Sequence, residues 1–132
     1  MIAVIFEVIP HETEKDQYFT IAAALRPELE KMPGFISIER FQSITNPEKI
    51  LSLSFWKDEE SVQQWRNFEM HRHAQAKGRQ RIFKDYHLRI AHVVRDYGMF
   101  NRTEAPADSK DFHNNIDNLP CLKLFYTHYR FK

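Results

Sequence analysis

The chain has 132 residues, enough for one domain with a substantial core and too few for two. Its 19 Lys and Arg against 18 Asp and Glu leave a net charge of +1, which excludes the basic footprint of a nucleic-acid or anionic-membrane binder. Aromatic residues make up 14%, with 11 Phe, 5 Tyr and 2 Trp, a supply large enough to line an apolar pocket as well as to fill a core.

Ile2 to Ile9 is β-branched and aromatic, stops at Pro10 and reads as a buried first strand, with Glu7 its one charge. The segment is too short to span a membrane. It also lacks the basic start and small-residue cleavage site of a signal peptide, so a cytoplasmic protein is expected. From Glu12 to Met32 the apolar positions Tyr18, Ile21, Ala22, Leu25, Leu29 and Met32 form one helical stripe. Pro27 predicts a kink or break near Ala23 to Arg26, and Pro33-Gly34 ends the helix.

Phe35 to Gln42 alternates, with Ile36, Ile38 and Arg40 on one face and Phe35, Ser37, Glu39 and Phe41 on the other. After the Thr45-Asn46-Pro47 turn, Ile50 to Trp56 alternates again, Leu51, Leu53 and Phe55 against Ser52, Ser54 and Trp56. These strands form a hairpin. Asp58 is the expected N-cap of a second helix, with Glu59 and Glu60 suited to its positive end. That helix is expected to reach about Met70, with Gly78 allowing a break before Arg79 to Phe83. Tyr86 to Tyr97 is the last strand, closed by Gly98.

The order strand, helix, strand, strand, helix, strand is the split βαβ, or ferredoxin-like, α+β plan. It covers residues 1–101; residues 102–132 form a C-terminal extension. Asn101 to Asn118 is polar and carries Pro106, as a linker or arm does, and Leu119 to Phe131 is aromatic again, either an extra strand or a swapped arm. Cys121 in that tail is the only cysteine, which rules out an intrachain disulfide and suits a reducing compartment.

A four-stranded sheet with helices on one face leaves the other bare, and here the bare face is expected to carry Trp56, Ser52 and Ser54. Packing two such sheets together covers it, so a homodimer is expected. Phosphate chemistry is unsupported, since the three glycines at 34, 78 and 98 form no loop pattern. The strands LSLSFW and IAVIFE lack the aromatic-basic segments of RNA-binding sheets. His87 and His92, five apart on one strand, face opposite ways and cannot share a site. His92, beside Leu88 and Ile90, reads as a core histidine. His71 and His73, two apart on a helix, make a poor metal pair.

The plan together with FWKDEESVQQW, HRHAQAKGR and VVRDYG resembles the antibiotic biosynthesis monooxygenase (ABM) domain superfamily over Met1 to Asn101. The resemblance implies a dimeric α+β barrel. It further implies a monooxygenase that acts on a small aromatic or quinol-like molecule and dioxygen with no flavin, haem or metal. Such a reaction uses the substrate as electron donor, so the protein must supply a base, a group to hold the anion and a dry aromatic wall.

Under that reading His71 is the candidate base, because imidazole titrates near neutral pH. It follows Trp65 by six residues, near one helix side if the helix continues; the competing reading is a surface histidine. Trp65 and Trp56 are candidates for the stacking wall, or for plain core packing. Arg40 and Arg66 could hold an anionic oxygen, with a solvated arginine the simpler reading of Arg66. Ser52 and Ser54 could hydrogen-bond a ligand, and His73 ranks below His71.

Another branch of the superfamily binds and degrades haem. Glu7 lies close to a pocket position of that branch, where an asparagine is usual, and Ala74-Gln75 stands where its iron-binding histidine would be. Haem degradation is therefore the alternative enzyme reading. A non-catalytic barrel that binds a small ligand is the alternative outside enzymology, because fold does not fix function.

Overall fold

Alternation along four strands sets the architecture. β1 (Ile2–Pro10), β2 (Phe35–Gln42), β3 (Ile50–Trp56) and β4 (Phe83–His92) form one antiparallel sheet in the order β2-β3-β1-β4. A turn at Glu12–Glu14 and α1 (Lys15–Glu30) link β1 to β2. Between β3 and β4 lie α2 (Glu59–Asn67), α3 (Glu69–Lys77) and a π-helical turn, Gly78–Ile82. This is the ferredoxin-like α+β plan. The structure, a computed structural model, describes residues 1–117 and divides into a unit Met1–Val93 and a second that begins at Val94. The division falls before the expected boundary at Asn101.

In β1, Ile2, Val4, Phe6 and Val8 share a face with their β3 partners Trp56, Ser54, Ser52 and Ile50. Ile2 and Trp56 pack with Leu29 of α1 and with Val62 and Trp65 of α2, so this face meets the helices. Ser52, Ser54 and Trp56 thus lie under the helices, contrary to the expectation that they sit on the bare face. The face turned away carries Ile5, Leu51, Leu53 and Phe55, each half-buried. Sequence alternation distinguishes two faces without saying which is inward, and the leucines were the more apolar choice.

The hairpin has the expected bounds, but a register shift between Phe35 and Ser37 marks a bulge. It turns Ile36 out to 53% exposure and lets Phe35 meet Trp56 edge-on, ring centroids 5.3 Å apart. The expected partition, with Ile36 beside Ile38, fails there because a bulge inserts one residue into a period of two.

The α1 stripe faces the sheet as expected: Tyr18 and Leu29 are buried, and Ile21, Ala22, Leu25 and Met32 are partly so. The helix runs unbroken through Pro27. Proline removes the bond to the carbonyl of Ala23, and Ala23 is exposed, so water can satisfy it.

Asp58 caps α2, accepting from the Ser61 backbone N–H at 2.8 Å and the Ser61 hydroxyl at 2.7 Å. These bonds, the hydroxyl's first, hold its carboxyl below the usual value. The helix then stops earlier than expected. Phe68 is extended (φ −61°, ψ 131°), and α3 starts afresh from it. Gly78 does not interrupt the helical path, which continues as the π turn.

β4 ends at His92 rather than Tyr97 because its partner runs out: His92 pairs with Ile2, and the Val93 N–H bonds Met1 O at 3.1 Å. His92 is exposed and not a core histidine. In the second unit the polar stretch expected as a linker holds a helix, α4 (Ala107–Asp117), with Asp108 in its first turn. The aromatic segment 119–131 and Cys121 lie outside the described residues. No helix among the described residues is long and apolar enough to cross a membrane.

Candidate functional site

The helix-side face of the sheet is only partly filled. Two buried clusters, one around Trp56 and Trp65 and one around Val8, Tyr18, Ile50 and Ile82, leave a cavity of about 320 Å³, within the usual range for small-molecule sites. Its floor includes Val4, Phe6, Ser52 and Ser54 with Ile38 and Arg40 of β2, and residues of α1, α2, α3 and the π turn line it as well. Tyr86, Leu88 and Ile90 on β4 also line it and are 38%, 48% and 41% exposed, so solvent reaches it along that edge.

The structure brings most of the predicted side chains to this cavity. His71, Trp65, Arg40, Trp56, Ser52, Ser54 and Arg66 all line it. Glu7 and His73 do not. Glu7 alternates onto the opposite sheet face, where it pairs with Lys49 at 3.6 Å and Arg89 at 3.4 Å. His73 is 80% exposed beside Glu69. Strand and helix periodicity turn both away from this cavity.

His71 reaches the cavity by the break at Phe68. Its ring stacks on Trp65 with centroids 4.5 Å apart and planes 19° from parallel, and Phe68 stacks on Trp65 as well at 5.7 Å. His71 Nδ1 lies 3.0 Å from the Trp65 carbonyl oxygen. A carbonyl only accepts, so this contact assigns the proton to Nδ1 and leaves Nε2 as the basic nitrogen. Gln75, one turn further along α3, reaches both His71 Nδ1 and Arg66 O at 3.2 Å; with Nδ1 protonated, the carbonyl is its acceptor. Burial pushes the His71 pKa below its ordinary value, with the Arg72 charge adding to the effect and the Trp65 carbonyl opposing it.

Trp56 Nε1 donates to Ser54 Oγ at 2.9 Å, a buried bond that holds the indole across the cavity floor. Arg40 Nε donates to the Tyr18 hydroxyl at 3.4 Å, and Arg79 Nη1 donates to the Tyr86 hydroxyl at 3.3 Å. Phe6 and Phe83 pack among the same aromatics. Sequence reasoning missed Tyr18, Gln75, Arg79 and Tyr86 as pocket residues. Gln75 was findable, since i,i+4 spacing from His71 places it on the same helix face. Nothing in local sequence links Arg79 to Tyr86; the π turn joins them. Among the described residues no three His, Cys, Asp or Glu side chains converge as a metal site would require.

Comparison with known proteins adds three findings to this geometry. The chain is 50% identical over 94 residues to a protein of Pyricularia oryzae named jasmonate monooxygenase ABM, a match that covers 71% of this chain and 44% of that protein. The chain thus spans less than half the length of that relative. Two solved structures share the fold. One is a conserved protein of Methanosarcina mazei Go1, 22% identical, with a TM-score of 0.63 over 69% of this chain and 90% of that one. The other is a protein of Mycobacterium tuberculosis, 10% identical, with a TM-score of 0.66 over 74% and 98%. Residues 1–77, more than half of the sequence and the part that carries β1 to α3, match the family described as antibiotic biosynthesis monooxygenase. The chain belongs to that family.

Proposed function

We propose that this chain is a monooxygenase for a small, largely apolar acidic molecule, with His71 as its base. The observation that carries the reading is the imidazole in the cavity wall, its Nδ1 within 3.0 Å of the Trp65 carbonyl oxygen, which leaves Nε2 to take a proton. Trp56, Trp65 and Phe6 supply the dry wall, and Arg40 supplies a half-buried cation for an anionic group.

Electron balance divides the substrates into two kinds. A phenol or activated methylene, once deprotonated by His71, reduces dioxygen itself. One oxygen atom enters the carbon as C=O, the other leaves as water, and no bound cofactor is needed. A jasmonate-type carboxylate, suggested by the relative's name, is different. Hydroxylation of its alkyl C–H consumes two electrons and two protons beyond those of the substrate, so a separate reductant is required.

Oxygen uptake tests both. Hydroquinones, naphthols and anthrones are supplied without reductant, and jasmonate with and without a two-electron reductant. Uptake on a phenol alone supports cofactor-free chemistry; uptake on jasmonate only with reductant supports the second kind. Silence on every substrate refutes the enzyme reading and leaves a ligand-binding barrel.

A second reading is haem binding through His71 Nε2. A ring nitrogen bonded to a backbone carbonyl is the common support of an iron-bound imidazole, and His71 has that bond. A Soret band lost in His71→Ala supports it.

The reading also includes a homodimer. Leu51, Leu53, Phe55 and Ile5 make an apolar centre on the sheet face turned away from the helices, and Phe41 beside them is 43% exposed. A second copy presents the same self-complementary patch.

A further inference from the structure

We propose that Arg40 is a carboxylate anchor at the end of the cavity remote from His71, so that the site selects elongated apolar acids over their neutral esters. The inference rests on the reading of the cavity as a substrate site and specifies which end takes the charge.

The cavity lining holds four arginines, Arg26, Arg40, Arg66 and Arg79, and no Asp or Glu among the described residues. Three of them differ from Arg40 in ways that matter. Arg26 pairs with Glu30 at 2.9 Å, and both groups are about half exposed. Arg66 and Arg79 are exposed, so water already screens them. Arg40 is half-buried and, among the described residues, has no carboxylate within 4.0 Å. Its only side-chain bond among them is Nε to the neutral Tyr18 hydroxyl. The two terminal nitrogens are left for a fork-on-fork bond to a carboxylate. The Tyr18 hydroxyl, already accepting from Nε, still has a proton to donate, and Ser52 is the cross-strand partner of Arg40. A charge taken partly out of water with only a neutral partner gains most from an incoming anion.

Sheet register sets the distance. Arg40, Ser52, Phe6 and Leu88 form one row across the sheet, whereas Trp56 and Ile2 form another. Four residues of β1 separate the rows, about 13 Å of strand. Trp65, on which His71 stacks, packs with Trp56 and Ile2. A carboxylate at Arg40 therefore leaves the apolar body of an elongated molecule to run along the sheet toward the row over which Trp65 and His71 stack.

Quenching of Trp56 and Trp65 fluorescence reads binding without turnover, since both indoles line the cavity. The probes are decanoate, 2-naphthoate and their methyl esters. Each acid is expected to bind roughly ten- to a hundredfold tighter than its ester. Decanoate is expected to show the stronger Arg40-dependent preference. Arg40→Met removes the preference, and Arg79→Met keeps it. Equal affinity for acid and ester, preference that survives Arg40→Met, or no saturable binding of any probe overturns the proposal. If Arg40→Met does not fold, Arg40→Lys decides: a point charge in place of the fork lowers the preference severalfold, and an unchanged preference overturns the assignment. The two readings separate cleanly. Acid selectivity without oxygen uptake on any substrate leaves the anchor standing and sinks the monooxygenase; uptake without acid selectivity does the reverse.

Discussion

The His71 imidazole lies on the Trp65 indole at 4.5 Å, six residues away in sequence, because the helix between them is broken at Phe68. In an uninterrupted α-helix residues six apart point about 120° away from each other. The extended Phe68 resets the chain direction. Its own N–H bonds Trp65 O at 3.1 Å, the same oxygen that His71 Nδ1 engages. One carbonyl thus terminates α2 and orients the candidate base.

His71→Ala is expected to lower turnover by about a hundred- to ten-thousandfold while the far-ultraviolet circular dichroism stays unchanged. In the parent protein kcat/KM should rise with pH through an apparent pKa below the ordinary histidine value and then level off, because burial favours the neutral, basic form. Stability carries the same sign. The unfolded chain binds the proton more readily than the folded one, so this group's contribution is complete above about pH 6.5 and is lost as pH falls toward the depressed folded value. A kcat/KM profile that falls with rising pH across that window contradicts the assignment of His71 as base.

Trp65 holds up the site and the core together, being 9% exposed among Ile2, Leu29, Trp56 and Val62. Trp65→Ala should cost about 3–5 kcal/mol. Trp65→Phe should cost less and still release His71 partly to water, moving its pKa back up toward the ordinary value. NMR titration of the His71 ring reads that direction, and an unchanged titration in a folded Trp65→Phe protein means that the indole does not shield it.

Four strands and the α1 stripe were legible because β-branched runs, alternation and helical spacing are local signals. The site was legible as a set of residue types near Trp65 but not as geometry. The break at Phe68 has no Gly or Pro to announce it, and the bulge at Phe35 to Ser37 arises in pairing with β3. Which face of β3 is buried was misread because Ser52 and Ser54 look like surface residues. Their burial follows from the cavity they border, where a hydroxyl meets an indole N–H or open space instead of packed carbon.

Ser54 makes that burial testable. Its hydroxyl accepts the Trp56 indole N–H inside the core. Ser54→Ala leaves a buried donor unpaired and should destabilise the protein by about 1–3 kcal/mol in denaturant unfolding. Ser52→Ala removes no bond of this kind and should cost clearly less. Equal costs for the two substitutions mean that the Trp56 bond contributes nothing.

Leu53→Glu tests the proposed dimer face. A carboxylate at the centre of the apolar patch repels its copy across a two-fold axis, so light scattering should show the parent as a dimer and the variant as a folded monomer. A variant that remains dimeric places the contact elsewhere.

Gly34 sits where the sheet, α1 and the α2 cap meet. Its φ of +82° lies in the left-handed region, and its carbonyl accepts the Lys57 N–H at 2.8 Å. An added Cβ would approach Ser61 Cβ to 2.7 Å and crowd Ser61 Oγ still more closely. That hydroxyl is committed to Asp58, so relief means loosening the N-cap of the helix that carries Trp65. Gly34→Ala is therefore expected to lose more than about 1 kcal/mol from backbone strain alone, a drop in Tm of roughly 4 °C or more. Gly98→Ala is the matched control: its Cβ meets nothing within 4 Å and no left-handed φ is involved. Gly34→Ala should also weaken ligand binding, since α2 positions Trp65 under His71. Thermal unfolding of the two variants side by side decides the matter, and a Gly34→Ala protein as stable as Gly98→Ala refutes the strained-turn account of this junction.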